Sequence, residues 1–340
     1  MPEAIDPSDP AWFPVEYDQA ADAFRLASVS LTDLGRYPFL DRRMGIDWET
    51  VRLVSSADVP RFPGAQPPAF LFHTAFCGST VLARALHAPP GAVALKEPRA
   101  LMLLSHASLG IEAPDRVRFD ASVAAGLRLL ARPWVPGGRV LIKPTNAVNR
   151  ILPSMLDAAP GARVLLLHGE LEPFLYSCCR KLPEAETRLR WMAQHLLRGT
   201  PLGARLDLPP GFEPNVIEAS VLTWAASIER FAQVLDRDRS DRLRSLATDR
   251  LMAAPEAAVA ACAGWLGLEA ALHDLPERVR TVFGRDAKRD DQDFDRATRD
   301  AQQQHLHAVH GDLVRDALEW AERVVLPALP TAPRWKPLAF

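Results

Sequence analysis

Lysine is scarce in this chain. Of 40 basic residues only Lys96, Lys143, Lys181, Lys288 and Lys336 are lysines, and the rest are arginines. Against 42 acidic residues the formal net charge is −2, which removes any global electrostatic pull toward nucleic acid or an anionic membrane. No stretch reaches the roughly 18 uninterrupted apolar residues of a membrane span. The start, MPEAIDPSDPAWF, is acidic and proline-rich. It has neither the basic nor the apolar region of a secretory signal, so none is expected. Cysteine is also rare: Cys77, Cys178, Cys179 and Cys262 show no metal-type spacing, and two of them are adjacent. They read as buried free thiols in a reducing cytoplasm, with no metal centre. His305, His307 and His310 read as the solvated face of a polar helix. No internal repeat is evident.

What is present is apolar. At 48% hydrophobic over 340 residues the chain can bury a large core. Residues 1–65 read as an N-terminal extension, with a strand-like piece and a capped helical piece in FRLASVSLTDLGRYPFLDRR, and RFPGAQPPAF leads as a linker into the core. From there strands and helices alternate. Strands are expected at 69–73, at AVALKEP (92–98, stopped by Pro98), at 140–142, in ARVLLLHG and in RLRSLATD. Helices are expected at 79–87, at 120–132, in NRILPSMLDAAP, from Glu172-Pro173, in VIEASVLTWAASIERFAQVL and in APEAAVAACAGWLGL. Residues 285–330 read as polar and then helical, and 331–340 as a tail. The fold class implied is α/β, a three-layer α/β/α arrangement around a central, mostly parallel sheet. Ligands of such sheets bind beyond the carboxyl ends of the strands, where Thr74–Thr80, Glu97, Lys143 and His168 should emerge together.

The stretch FHTAFCGSTVLARAL has the order strand, small-residue turn, helix, and so suits an anion at a helix start. It is not the usual phosphate-binding loop G-x-x-x-x-G-K-[ST], because Ser79 stands where the lysine belongs. An ordinary turn capped by Ser79 or Thr80 remains an alternative. Glu97 in LKEP is a base candidate or a solvated cap; Lys143 in LIKPTN points into a cleft or into solvent; Ser177 is a binding or a surface serine. A hydrolase reading through Ser79 or Cys77 with His73 or His168 lacks the G-x-S-x-G elbow.

Taken in order, these segments resemble the PAPS-dependent sulfotransferase superfamily, in particular bacterial members, over about residues 68–325. HTAFCGSTVLARAL is similar to its 5′-phosphosulfate loop, and the run from VLIKPTN to HGELEPFLYS to its strand–lysine–helix–strand segment. LRSLATDRLMAAPEAAVAACAGWLGL and FGRDAKRDD resemble its closing segments. The resemblance implies a P-loop-like nucleotide-binding domain over 66–330 with PAPS as sulfuryl donor and PAP as product. Backbone amides of Cys77, Gly78, Ser79 and Thr80, with the Ser79 and Thr80 hydroxyls, would hold the 5′-phosphosulfate, in a cofactor-binding loop that also includes Phe76. Ser177, with His168, Arg285 and Lys288, would serve the 3′-phosphate. Lys143 would neutralise the leaving oxygen and Glu97 would be the base. The acceptor would be a small molecule, peptide or glycan bearing a hydroxyl or amine. The chain departs from the family pattern at Phe76, where the loop's cation is expected, and at His168-Gly169, where an arginine is expected. Lys96, Arg99, Arg180, Arg285 and Lys288 are the candidates to compensate. A sulfotransferase fold that binds a nucleotide or partner without transfer, and a P-loop kinase, are the alternatives.

Overall fold

The computed structural model describes residues 5–6, 9–61, 66–206, 208, 212–286, 289–293, 296–329 and 333–340. The chain opens with a three-stranded antiparallel sheet in the order β1 (Trp12–Asp18), β2 (Ala23–Ser28), β3 (Arg52–Ser55). Between β2 and β3 a short helix, α1 (Leu31–Arg36), begins at a capping box. Ser30 accepts from the Asp33 N–H, and Asp33 answers the Ser30 N–H. Sequence patterning marks only the middle strand of this sheet and the capped helix.

The central sheet is made of β4 (Ala69–His73), β5 (Ala92–Lys96), β6 (Arg139–Lys143), β7 (Val164–His168) and β8 (Leu243–Ala247). All pairings are parallel, and the spatial order is β5-β6-β4-β7-β8. Each strand is five residues long; β4 and β5 are buried throughout, and β6, β7 and β8 are buried except at Arg139, His168, Arg244 and Ala247, as expected of a sheet covered by helices. Successive side chains alternate between two cores. Phe70, Phe72, Val93, Leu95, Val140 and Ile142 join one core together with Phe13, Phe24 and Leu26 of the N-terminal sheet. Ala69, Leu71, Ala94, Leu141, Leu165 and Leu167 join the other.

The first core is covered by α3 (Arg99–Ala107), α4 (Arg116–Leu130) and α5 (Leu152–Ala158). The second is covered by α2 (Ser79–Ala85), α11 (Pro255–Leu266) and α12 (Leu275–Phe283). A third cluster gathers α6 (Leu171–Cys179), α7 (Glu186–Leu197), the long α9 (Val216–Arg237) and α13 (Arg296–Trp320) beyond the sheet's carboxyl edge. The short α8 (Pro201–Arg205) precedes α9, and α10 (Thr248–Ala253) comes directly after β8. On α9 the expected face is buried: Val221, Ala225, Ile228, Phe231 and Leu235. Gly267 ends α11 in the left-handed region, at φ +69°.

After β6 the chain passes β4 and continues on its other side as β7 and β8, so β4 lies at the point where the winding reverses. Such a point opens a crevice at the carboxyl ends of the strands. The residues beyond the tail boundary at 331 do more than trail. Ser245 of β8 donates to the Lys336 carbonyl and accepts from the Leu338 N–H, each at 2.8 Å, so the tail adds a parallel bridge along the outer edge of the sheet. Among the described residues no helix is long and apolar enough to cross a membrane.

Candidate active site

The crevice contains a cavity of about 440 Å³. Its floor is the loop from β4 to α2. Ala75 and Phe76 are held at φ +71° and +51°, and Gly78, the N-cap of α2, at φ +78°. No side chain caps α2. Gly78 followed by helical Ser79 makes a left-handed-to-right-handed step that turns successive N–H groups toward one point, an anion nest at a helix start. A Cβ at Gly78 would stand 2.6 Å from the Met252 Cε, so close packing and φ both require glycine.

The loop is braced by His73. Its Nδ1 accepts the Ala75 N–H at 3.0 Å, so its proton sits on Nε2, which donates to the Pro144 carbonyl at 3.0 Å. Asn149 donates to the His73 carbonyl at 3.0 Å from behind. Thr74 and Thr248 tie the same loop to the next strand ends. The Gly169 N–H donates to Thr74 Oγ1 at 3.2 Å, and Thr248 Oγ1 lies within 3.2 Å of the Cys77 and His168 carbonyls.

Two strand ends bring the charges together. Parallel pairing sets Lys96 opposite Lys143, and the Glu97 N–H continues the ladder by donating to the Lys143 carbonyl at 2.6 Å. Glu97 is forced to φ +56° there. A left-handed non-glycine residue costs roughly 1–2 kcal/mol, and three of the six among the described residues, Ala75, Phe76 and Glu97, line this one cavity. Strain gathered in one place is a mark of a functional site. Lys143 is only 1% exposed, yet its ammonium is ion-paired with the Glu97 carboxylate, which is 21% exposed, and lies 3.5 Å from Thr80 Oγ1. It also sits over the Phe39 ring, 5.6 Å from the centroid. An ammonium carries three donors; two directions are taken by Glu97 and Thr80.

Of the residues singled out from sequence, Glu97, Lys143, Phe76, Gly78, Ser79 and Thr80 all line the cavity. Cys77 does not: its thiol is buried and lies 3.7 Å from the Leu167 carbonyl, and burial raises its pKa, which disfavours the thiolate form. His168 reaches the same sheet edge but is not among the lining residues. Its ring stacks on Trp335 of the tail at 4.0 Å and 6°, and burial lowers its pKa to about 4. Ser177 is half-buried on α6, outside the lining. Lys288 lies outside the described residues, as does the side chain of Arg285.

The missing loop cation is not replaced by Lys96 or Arg99. Lys96 is buried and donates to the Gly35 carbonyl at 3.2 Å, and Arg99 pairs with Glu16 at 3.0 Å. Phe76, in the cation's place, packs on Phe174 with ring centres 5.7 Å apart. Arg180 is in the cavity, joined by Lys181, Arg188 and Arg43, three cations that sequence reasoning passed over. Nothing local marks them: Arg43 lies in the N-terminal extension, and Lys181 and Arg188 flank the turn into α7.

No family model and no curated protein matches the chain. Solved structures to which it is similar include sulfotransferases. They include sulfotransferase STF1 from Mycobacterium tuberculosis, with 16% identity and a TM-score of 0.43 over 67% of this chain and 78% of that one. A sulfotransferase from Alicyclobacillus acidocaldarius has 15% identity and a TM-score of 0.39 over 78% and 98%. Sulfotransferase STF9 from Mycobacterium avium has 15% identity and a TM-score of 0.41 over 76% and 79%. At such values the likeness carries no assignment of activity, which has to rest on the site.

Proposed function

We propose that the cavity is a sulfuryl-transfer site that takes PAPS as donor and a hydroxyl or amine as acceptor. The observation that carries this reading is the buried Lys143 ammonium, held between Glu97 and Thr80 beside the uncapped start of α2. An anion resting on the Gly78–Thr80 backbone and the Ser79 and Thr80 hydroxyls would meet the third donor of Lys143. In the transfer the acceptor oxygen or nitrogen forms a bond to sulfur as the bond from sulfur to the phosphate's bridging oxygen breaks. Glu97 accepts the acceptor's proton, a contribution of typically 10²–10⁴-fold. Lys143 neutralises the charge that develops on the leaving oxygen. In-line positioning does the remainder, as in phosphoryl transfer.

The lining fits the phosphosulfate end of such a donor. The 3′-phosphate end is assigned to Ser177 and to the segment from Arg285, in keeping with the family resemblance. A cytoplasmic setting belongs to the same proposal; all four cysteines are buried free thiols. Phe76 on Phe174 favours one second reading, in which the cavity binds the nucleotide and does not transfer.

Calorimetric titration with PAP, beside AMP and ATP–Mg²⁺, tests the donor. Micromolar binding selective for PAP is expected, with sulfuryl transfer from PAPS persisting in EDTA. Preference for ATP–Mg²⁺ would turn the reading to a kinase. PAP binding without transfer to a broad panel of phenols, alcohols and amines would leave the second reading.

A further inference from the structure

The lining holds more positive charge than the transfer uses. Five cationic side chains, Arg43, Lys143, Arg180, Lys181 and Arg188, face the cavity against a single carboxylate, Glu97. A protein of net charge −2 does not collect such an excess through composition. Glu97 is taken by Lys143. Arg43 is taken largely by Asp41, whose Oδ1 accepts its Nε–H at 2.8 Å, although Glu97 also acts on it through its charge. Arg43 and Glu97 line the same cavity. Arg180 and Arg188 have no ion-pair partner among the described residues and are exposed at the rim. They are not spread over open surface: Phe174, Leu189 and Met192 line the cavity with them. A guanidinium is suited to carboxylate, sulfate and phosphate oxygens, which it meets with two parallel N–H groups.

From this arrangement we infer that the acceptor is an anion with an apolar body, its acidic group held by Arg180 and Arg188 while its hydroxyl or amine reaches Glu97. The inference rests on the sulfuryl-transfer reading for the role of Glu97, but the anion site itself is defined by the arginines and the apolar wall. Phe174, Leu189 and Met192 take the body. A neutral phenol or alcohol of equal size lacks the contact that positions it.

The test uses two fluorescent probes of the same shape, 6-hydroxy-2-naphthoate and its neutral amide, 6-hydroxy-2-naphthamide. Each is titrated into the full chain with and without saturating PAP. The naphthoate should bind at least about tenfold tighter than the amide, the gain of a charge-assisted contact. In the double variant Arg180→Gln, Arg188→Gln that preference should vanish while PAP affinity stays within about twofold. Equal binding of the two probes, or binding of neither, overturns the inference. So does a double variant that loses PAP affinity, because the arginines would then serve the donor. A wild type that prefers the naphthoate but ignores PAP leaves the anion site standing and removes the donor assignment instead.

Discussion

The two sides of the central strand β4 end differently at the same sheet edge. On the β6 and β5 side the strand ends deliver an ammonium and a carboxylate into a cavity lined also by Arg43, Arg180 and Arg188. On the β7 and β8 side the edge is packed shut: His168 lies flat against Trp335, the Trp224 indole donates to the Gly169 carbonyl at 2.8 Å, and the tail covers β8. Both sides descend from the same kind of strand, a largely buried five-residue run. The difference lies in the residues just past the run. Lys-Pro and Glu-Pro keep charged side chains at the strand ends, whereas His-Gly turns into a helix beneath an aromatic lid. The Glu97–Lys143 ion pair lies on the first side, while the strand ends of the second side are packed against Trp335 and the tail.

The largest effect that separates the sides is expected at Glu97. Glu97→Gln should lower turnover by about 10²–10⁴-fold while PAP affinity changes little, because the amide still accepts a hydrogen bond from Lys143. Full activity would remove Glu97 as base. Lys143→Met should lower PAP affinity and rate together, each by roughly 10–100-fold, the loss of one charge-assisted contact. Unchanged titrations would place the lysine outside the donor site. Gly78→Ala should cost about 1–2 kcal/mol in urea unfolding, from its left-handed φ and the contact with Met252, and weaken PAP binding as well. On the packed side, Trp335→Ala should leave PAP affinity intact. A large loss there would mean that the two sides are not separate.

The smallest effect is one of pH. Burial lowers the pKa of His168 to about 4, and burial, aided by neighbouring positive charge, does the same for His87; His195 is lowered to about 4 mainly by burial. Unfolded, each titrates near the ordinary histidine value of 6.5. Between about pH 6.5 and 4 the unfolded chain therefore binds up to three more protons, and stability falls as pH falls through that window. Urea midpoints at pH 7.0, 5.5 and 4.5 should decline in that order. In Trp335→Ala the NMR titration of His168 should move back toward 6.5 and the decline should soften; an unmoved titration would detach His168 from the stack.

The central sheet was legible because its strands β4, β5, β6 and β7 carry short, buried apolar runs with clear boundaries, and β8 keeps Leu243 and Leu246 buried around Arg244. The N-terminal sheet was not, because its signals are broken. Pro14 sits in β1, where the register slips between Pro14 and Glu16, and β3 is only four residues long. Helix α3 was hidden by Pro98, which reads as the end of a strand and also stands as the N-cap of the helix. In the site, Glu97 and Lys143 were legible because residues just past adjacent parallel strands must lie together. Arg43 and Arg188 were not, because long-range packing alone brings an N-terminal arginine and one on α7 to the same cavity. His168 reaches the expected edge, but its ring is stacked on Trp335, which lies far along the chain in the C-terminal tail and so leaves no local signal.

The His73 ring ties the Ala75 amide to the Pro144 carbonyl, and so ties the anion loop to the strand that carries Lys143. Neither can drift without breaking a bond to the other. The floor of the cavity is thus set before any ligand arrives, and an anion entering it spends little on ordering backbone. The rim is the opposite. Arg180 and Arg188 must each give up rotamer freedom to grip a guest, at about 0.5–1.5 kcal/mol apiece. A stiff floor and a loose rim divide the work: under the proposed transfer the donor's geometry would be fixed in advance, while the choice among acceptors would be made on contact and be the part most open to change by substitution.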